Sequence, residues 1–253
     1  FKDGKPMALT SLNKSDEAPF QYGHLSLKAI LAVRDKRLAQ TIDTVLLYNG
    51  RGFTRFNTGM ESTSSTGYGV AKYDNEAIPE GFRSQSGKNY THAPLFWLSV
   101  IYLNYAEACA ELGNITQDDL DKSINLLKDR AGLPHLSPIV GFSDPANNHG
   151  VSDLIWEIRR ERRCELMFDN DNRYWDLIRW HQLDKLDTTK YPDIILGANV
   201  ANDMDGCEAN KVGKYIDGSK DGSRIYDKKH YLYPIPTGQI ALNPQLAPNN
   251  PGW

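Results

Sequence analysis

The chain has 253 residues, of which 40% are hydrophobic and 24% charged, and its formal net charge at pH 7 is -3. This composition is typical of a soluble globular protein, and the length suits one large domain or two small ones. A nucleic-acid partner is excluded because phosphate binding needs a concentrated basic surface, whereas the basic RRERR cluster is interrupted by Glu161. No apolar stretch approaches the length of a membrane span.

The first part of the chain, residues 1–93, is predicted to be rich in loops. A short helix or strand around LKAILAV and an extended TIDTVLLY segment are followed by a polar stretch that is too long for an ordinary connection. Its aromatic and polar residues suit a glycan platform, because aromatic faces stack on sugars while forked and amide side chains bond hydroxyls. The candidate ligand-binding residues are Phe20, Tyr22, Tyr48, Arg51, Phe53, Arg55, Phe56 and Asn57. An equally open alternative is that Phe53 and Phe56 only fasten the loop to the body.

Residues 94–186 are predicted to form a scaffold of helical hairpins. A helix beginning at Pro94 and ending at Gly113 has one apolar stripe, made of Leu98, Ile101, Tyr105, Ala108 and Leu112. A second helix begins near Asp118 and ends at Gly132, and two more cover residues 152–168 and 173–186. Paired antiparallel helices of this kind stack in tetratricopeptide-like arrays. Residues 187–253 return to loops, with a turn at 221–222 and a final YLYPIP segment that suits an edge strand or an extended segment lying over the helices.

The third predicted helix carries charges on the face that should be buried. Counting from Leu154 at spacings of three and four gives Ile158, Glu161, Glu165 and Phe168, so two carboxylates share a face with core residues. Buried carboxylates are costly unless they are paired. We predict structural ion pairs inside the fold, formed by Glu161, Arg162, Arg163, Glu165, Arg173, Asp176 and Arg179.

Other chemistry is weakly supported by the sequence. Paired acids suit a glycoside hydrolase, but the neighbouring arginines would lower both pKa values, whereas a general acid needs a raised one. The NDMDGCE segment around Asp203 and Asp205 does not fit an EF-hand, because Ala201 and Val212 would occupy the outer ligand positions. An irregular calcium site there stays open. The six histidines have no metal-ligand spacing, so neither a metal nor another cofactor is predicted.

Several ordered motifs carry a resemblance to a known family. They are RDKRL (34–38), TGYGVAKY (66–73), YLNYAEACAELGN (102–114), RAGLP (130–134), the ERR, EL, F, R, WDL and RW pattern of 161–180, and the closing YLYPIPTGQIALNPQLAPNNPGW (231–253). Together they resemble the C-terminal half of SusD/RagB-like outer-membrane nutrient-binding lipoproteins. In the closing motif, Asn249 stands where Gln is more usual.

The resemblance implies a mainly α fold with tetratricopeptide-like helical hairpins, long irregular loops and a few short strands. It implies a non-catalytic protein, lipid-anchored at the cell-surface face of the outer membrane through the N-terminal half that this chain lacks. Such a protein captures a nutrient, usually an oligosaccharide, and hands it to a SusC-like TonB-dependent barrel. The helical face would serve that barrel or the N-terminal half. The alternatives are a RagB-like peptide-binding protein, a glycoside hydrolase and a tetratricopeptide-type adaptor for a protein partner.

Overall fold

The described part of the chain is mainly helical, as predicted. The structure is a computed structural model that describes residues 1–12, 27–46, 64–75, 77–83, 85–169, 172–199, 211–212, 215–218 and 222–253. Its helices are α1 (Leu27–Val33), α2 (Lys36–Thr41), α3 (Glu80–Arg83), α4 (Leu98–Glu111), α5 (Gln117–Asp121), α6 (Ile124–Ala131), α7 (Asp153–Glu165), α8 (Asn172–Arg179) and α9 (Thr237–Leu242). Its strands are β1 (Ile42–Leu46), β2 (Tyr68–Val70), β3 (Leu196–Asn199), β4 (Lys211–Val212) and β5 (Tyr215–Asp217). Within these ranges, no helix combines the length and the apolar character needed to cross a membrane.

Helix α4 buries a different face from the predicted one. Its buried residues are Ser99, Leu103, Ala106 and Glu107, whereas Leu98, Ile101, Tyr105, Ala108 and Leu112 of the predicted stripe are exposed. Both faces follow helical spacing, so periodicity alone did not separate them. The small Ala106 is fully buried and allows α7 to approach closely, which fixes the buried face. The apolar stripe of the sequence is therefore not the buried face of α4.

The predicted second helix is two short helices. A capping box begins α5, because Thr116 and the Asp119 side chain satisfy each other's backbone N–H groups. The helical path breaks at Ser123, whose hydroxyl donates to the Asp119 carbonyl at 2.5 Å. Helix α6 ends at Gly132, where φ is 68° and a glycine avoids the strain of the left-handed region.

Helices α7 and α8 both end earlier than predicted. Ser152 caps α7 as predicted, since its side chain accepts from the Ile155 N–H at 3.3 Å. The helix ends at Glu165, and Phe168 has a φ of 65°, so it cannot continue the helical face of Glu161 and Glu165. Helix α8 ends at Arg179, and a separate 3-10 helix covers Leu183–Leu186.

The hydrophobic core lies between α4, α5, α6 and α7. Its buried members are Leu103, Ala106, Leu120, Ile124, Leu127, Leu136, Ile158 and Leu166. The loop after α6 is fixed to this core by Asn125, whose buried amide accepts from the Leu136 N–H at 2.7 Å and donates to its carbonyl at 3.0 Å. Because both polar groups of the amide are satisfied, the burial of Asn125 costs little.

Two small antiparallel sheets lie outside the helical core. Strand β1 pairs with β2, with Ile42 opposite Val70, and the second sheet has the order β3-β5-β4. The two sheets are joined by the Thr66 carbonyl, which accepts from the Ala198 N–H at 2.7 Å. The close approach requires Gly197, because an added Cβ would lie 2.4 Å from the Thr66 oxygen.

In the C-terminal segment, residues 233–236 of YLYPIP form neither a helix nor a strand, and short helices lie on either side of them. A 3-10 helix covers Lys228–Tyr231, α9 follows at Thr237–Leu242, and Pro244–Leu246 forms another 3-10 helix. The Asn249 side chain accepts from the Ile235 N–H at 2.8 Å and donates to its carbonyl at 3.0 Å. These bonds take the place of a neighbouring strand for the backbone of Ile235.

Candidate functional site

The predicted ligand-binding residues lie outside the described part of the chain. Phe20 and Tyr22 belong to residues 13–26, and the other six, Tyr48, Arg51, Phe53, Arg55, Phe56 and Asn57, belong to residues 47–63. Their role stays a prediction. The candidate site is therefore built from the residues that border these two segments.

A cavity of about 610 Å³ lies between α1, the two small sheets and the end of α7. Its lining includes Leu27 and Ser64, the first described residues after segments 13–26 and 47–63, together with Asn199 and Tyr215, which border two further segments. The wall is mostly aliphatic, with Ile30, Leu31, Leu38, Ile42, Val70, Met167, Leu196 and Ala198 among its residues. A largely apolar cavity with a few polar groups has the general character of a small-molecule site.

Phe168 lines this cavity and is half-exposed. Its side chain is 54% exposed and its backbone lies in the left-handed region, which is uncommon for a bulky residue. The surrounding contacts hold this conformation. The Tyr73 hydroxyl lies 2.6 Å from the Phe168 carbonyl and 2.7 Å from the Asp169 carboxylate, while the Lys72 ammonium donates to Asp169 at 2.7 Å.

Sequence reasoning placed Phe168 on the buried face of a longer helix and so missed it. The charged residues after it, in a DNDNR run, were the available signal that the helix ends before Phe168. Polar side chains from other elements complete the cavity, namely Arg34, Ser64, Thr66, Tyr68, Asp193, Asn199 and Tyr215. Aromatic, amide, hydroxyl and guanidinium groups therefore meet around one apolar space.

The two glutamates of α7 form a buried ion-pair network with a neighbouring helix. The Arg37 guanidinium of α2 donates to Glu161 at 2.5 Å and to Glu165 at 2.8 Å, and its other nitrogens bind Asp35. Lys128 lies 3.5 Å from the second oxygen of Glu161. The Glu161 side chain is 2% exposed, so its charge is neutralised inside the protein.

A second network joins α4, α7 and α8. Asp176 accepts from Arg162 at 2.7 Å and from Arg179 at 2.9 Å, and Arg179 also donates to Glu107 at 2.6 Å. Arg37 and Glu107, which complete these networks, were not among the predicted residues. Five of the seven predicted residues therefore form ion pairs, namely Glu161, Arg162, Glu165, Asp176 and Arg179. Their structural role stays a prediction.

Arg163 and Arg173 differ from the prediction. Within the described residues, neither guanidinium lies within ion-pair distance of a carboxylate. The Arg163 side chain is exposed, and the Arg173 guanidinium lies 5.9 Å from the centre of the Trp180 ring. Helical spacing from Asp176 made Arg173 a candidate partner, but Arg162 and Arg179 occupy the two Asp176 oxygens.

The electrostatics of Glu161 do not suit a general acid. Burial by itself raises the pKa of the Glu161 carboxyl, but Arg37 and Lys128 outweigh it and hold that pKa below its ordinary value. A carboxylate kept ionised in this way cannot donate a proton to a leaving group near neutral pH. Among the described residues, no three His, Cys, Asp or Glu side chains converge as a metal site, and Asp203 and Asp205 lie outside those residues.

The lowered pKa of Glu161 predicts a loss of stability in acid. In the unfolded chain this carboxyl titrates near 4.5, and in the folded protein it titrates lower. Its contribution is therefore complete above the unfolded pKa and is lost as the pH falls through the folded pKa. We expect the urea midpoint to fall between pH 5 and pH 3, and to fall less in Glu161→Gln. Equal pH slopes for the two proteins would contradict this assignment.

The fold and the sequence motifs define a class of protein. The SusD family model matches residues 24–253. A crystal structure of a SusD-like protein from Bacteroides fragilis superposes with a TM-score of 0.54 at 23% sequence identity, covering 100% of this chain and 46% of that chain. No curated protein matches the chain. The likeness to the solved structure shows the shared fold and confirms the predicted fold class.

The chain belongs to the SusD family, as its motifs predicted. Members of this family are, in general, surface nutrient-binding proteins. The chain spans less than half the length of the solved relative.

Proposed function

We propose that this chain takes part in capturing an oligosaccharide at the cell surface without chemically changing it. The observation that carries the proposal is the cavity of about 610 Å³ with the exposed Phe168 ring at its wall. An aromatic face stacks on the C–H surface of a sugar, and the amide, hydroxyl and guanidinium groups among the lining residues are of the chemical kind that bonds sugar hydroxyls. Family membership supports nutrient binding in general, and the chemistry of the cavity favours a glycan.

The segments that contain the predicted aromatic residues are joined to the cavity by only a few residues of chain. A chain reaches at most about 3.5 Å per residue, so the Cα of Tyr22 lies within about 18 Å of the Cα of Leu27. The other six predicted residues lie between Leu46, the last residue of β1, and Ser64, which lines the cavity. This supports one ligand-facing surface formed by the loop-rich part, residues 1–93, and held by the helical scaffold.

A non-catalytic role agrees with the distribution of carboxylates. Among the described residues that line the cavity, Asp193 is the one carboxylate, whereas glycoside hydrolysis by the usual route needs a pair. Glu161 and Glu165 are engaged by Arg37. We therefore favour binding over hydrolysis.

The proposal extends to the protein's surroundings. We place the protein at the outer face of the outer membrane, held by a lipid on a part of the protein outside this chain, with a SusC-like TonB-dependent barrel as partner. Leu98 and Ile101 of α4 and Leu112, which follows the helix, are exposed apolar residues that offer a surface to the rest of the protein. Burial of such a stripe is favourable because it removes apolar area from water.

The substitution Phe168→Ala tests the proposed site. We expect calorimetric titration with soluble oligosaccharides to show saturable binding that this variant weakens roughly tenfold, equivalent to about 1.4 kcal/mol, because the stacking face is lost. The matched control is Phe96→Ala, since Phe96 is 90% exposed and does not line the cavity. Equal affinities for the Phe168→Ala and Phe96→Ala proteins would contradict the site.

The same titrations, with reducing ends assayed in the same samples, distinguish the alternative functions. Binding of a peptide mixture in place of glycans would favour the RagB-like function. Release of new reducing ends would show hydrolysis and contradict the non-catalytic proposal. Binding of a protein partner with no response to either small ligand would favour a tetratricopeptide-type adaptor.

A further inference from the structure

The TGYGVAKY motif, residues 66–73, borders the cavity beside Phe168. Tyr68 and Val70 of β2 line the cavity, and so does Thr66, two positions before the strand. Alternate residues of an extended chain lie on the same face, so this spacing agrees with one shared wall. The motif then continues past the strand into Lys72 and Tyr73, which do not line the cavity. These two residues contact the chain segment that contains Phe168.

Lys72 and Tyr73 bind the backbone at and around Phe168. The Lys72 ammonium donates to the Glu165 carbonyl at 3.1 Å and to the Met167 carbonyl at 3.0 Å. Carbonyls at the end of a helix such as α7 need partners from outside the helix. The Tyr73 hydroxyl lies 2.6 Å from the Phe168 carbonyl. Two consecutive residues of the motif therefore hold three carbonyls of residues 165–168.

The Asp169 carboxylate joins these two donors. Its side chain is 1% exposed, and one oxygen accepts from the Lys72 ammonium at 2.7 Å. The other oxygen lies 2.7 Å from the Tyr73 hydroxyl. That hydroxyl has one proton, so at any moment it donates either to Asp169 or to the Phe168 carbonyl. Burial, followed by the hydrogen bond and the charge of Asp169, raises the pKa of Tyr73 to about 12, so the hydroxyl keeps its proton at neutral pH.

The segment 167–169 lies between two cavities. Met167 and Phe168 line the cavity of about 610 Å³, whereas Lys72 and Asp169 line a second one of about 560 Å³. Packing holds a segment less firmly when there is space on both sides of it. The φ of 65° at Phe168 is also uncommon for a bulky residue and persists only when neighbouring contacts hold it.

We propose that Lys72 and Tyr73 are positioning residues of the ligand site, which keep Phe168 in the cavity lining through the backbone of residues 167–169. Neither lines the cavity, so their effect on a ligand passes through Phe168. The motif thus has two parts, one that forms a wall and one that holds an aromatic residue. The effect on a ligand rests on the proposed function, whereas the position of Phe168 is measurable without a ligand.

Fluorophenylalanine incorporated at position 168 gives a fluorine NMR signal that reports on this residue in the ligand-free chain. We expect one resonance from the otherwise unchanged chain and an additional one in Tyr73→Phe, from molecules in which residue 168 has left its position. Tyr90→Phe is the matched control, since Tyr90 is 62% exposed and does not line the cavity, and it should leave the spectrum unchanged. A Tyr73→Phe spectrum identical to that of the control would overturn the inference.

Calorimetric titration with oligosaccharides tests whether Tyr73 acts through Phe168. We expect Tyr73→Phe to weaken binding roughly three- to tenfold, the range for one hydrogen bond of ordinary strength, and Tyr90→Phe to leave it unchanged. Combined with Phe168→Ala, Tyr73→Phe should cause no further loss, because the ring that it positions is already absent. An equal loss with and without Phe168→Ala would show an effect on the fold alone and overturn the inference. Equal affinities for Tyr73→Phe and Tyr90→Phe would do the same.

Failure of the proposed function gives a different result. If the chain binds no oligosaccharide, the proposed function is wrong, and the fluorine spectra decide whether Lys72 and Tyr73 position Phe168. Lys72→Met should change the spectrum more than Tyr73→Phe, because it releases two carbonyls and a carboxylate. If Lys72→Met does not fold, Tyr73→Phe decides the inference.

Discussion

Replacing Arg37 by methionine is expected to destabilise the protein by about 3–5 kcal/mol, because it leaves buried carboxylates without their main partner. The Arg37 side chain is 7% exposed and binds Asp35, Glu161 and Glu165 at once. Lys128 and Arg130 still contact the two glutamates, but neither reaches the space that the Arg37 fork fills between α2 and α7. Chemical denaturation followed by circular dichroism measures the change in the free energy of unfolding.

The neighbouring Lys36→Met is the matched control for Arg37→Met. Lys36 lies on the same helix but is exposed, so its loss is expected to change the free energy of unfolding by less than about 0.5 kcal/mol. If the two variants have similar stability, the network does not hold α2 against α7, and the structural interpretation of Glu161 and Glu165 is wrong.

Leu103→Ala is expected to cost about 2–5 kcal/mol, since it opens a cavity in the packed centre between α4 and α7. Leu103 is fully buried and belongs to the core that includes Ile158. Leu98→Ala, on the opposite face of the same helix, removes an exposed side chain. Its expected effect on this chain is below about 0.5 kcal/mol.

The pair Leu103→Ala and Leu98→Ala tests which face of α4 is the core. Thermal or urea unfolding of both variants gives the comparison directly. A larger loss of stability for Leu98→Ala than for Leu103→Ala would restore the face predicted from the sequence and contradict the structure.

The helical elements were predictable because their signals are local. The Ser152 cap and Gly132 indicated a beginning and an end of helices, and both occur in the structure. The break between α5 and α6 was not predictable from apolar spacing, since Leu120, Ile124 and Leu127 continue the pattern across it. The Ser123 backbone, with φ of -133° and ψ of -98°, leaves the helical region there.

The buried face of α4 depended on tertiary contacts. Leu98, Ile101 and Tyr105 are more hydrophobic than Ser99 and Glu107, so sequence reasoning chose the wrong face. Glu107 is buried because Arg179 and the Trp180 indole bind it, and both come from more than 70 positions along the chain. No local pattern contains that information.

The candidate site was only partly predictable for a similar reason. Phe168 is a candidate site residue because α7 ends at Glu165, before the end predicted from the sequence. The bonds from Lys72 and Tyr73 that position Asp169 join distant parts of the chain. The motif resemblance did identify the family, and the SusD family model matches residues 24–253. The resemblance could not predict which residues line the cavity.

A crystal structure of the protein with a bound oligosaccharide would test the proposed ligand site most directly. We predict a sugar ring stacked on Phe168, with its hydroxyls bonded to polar groups that line the same cavity. A ligand bound elsewhere, with the cavity beside Phe168 empty, would contradict the proposed site.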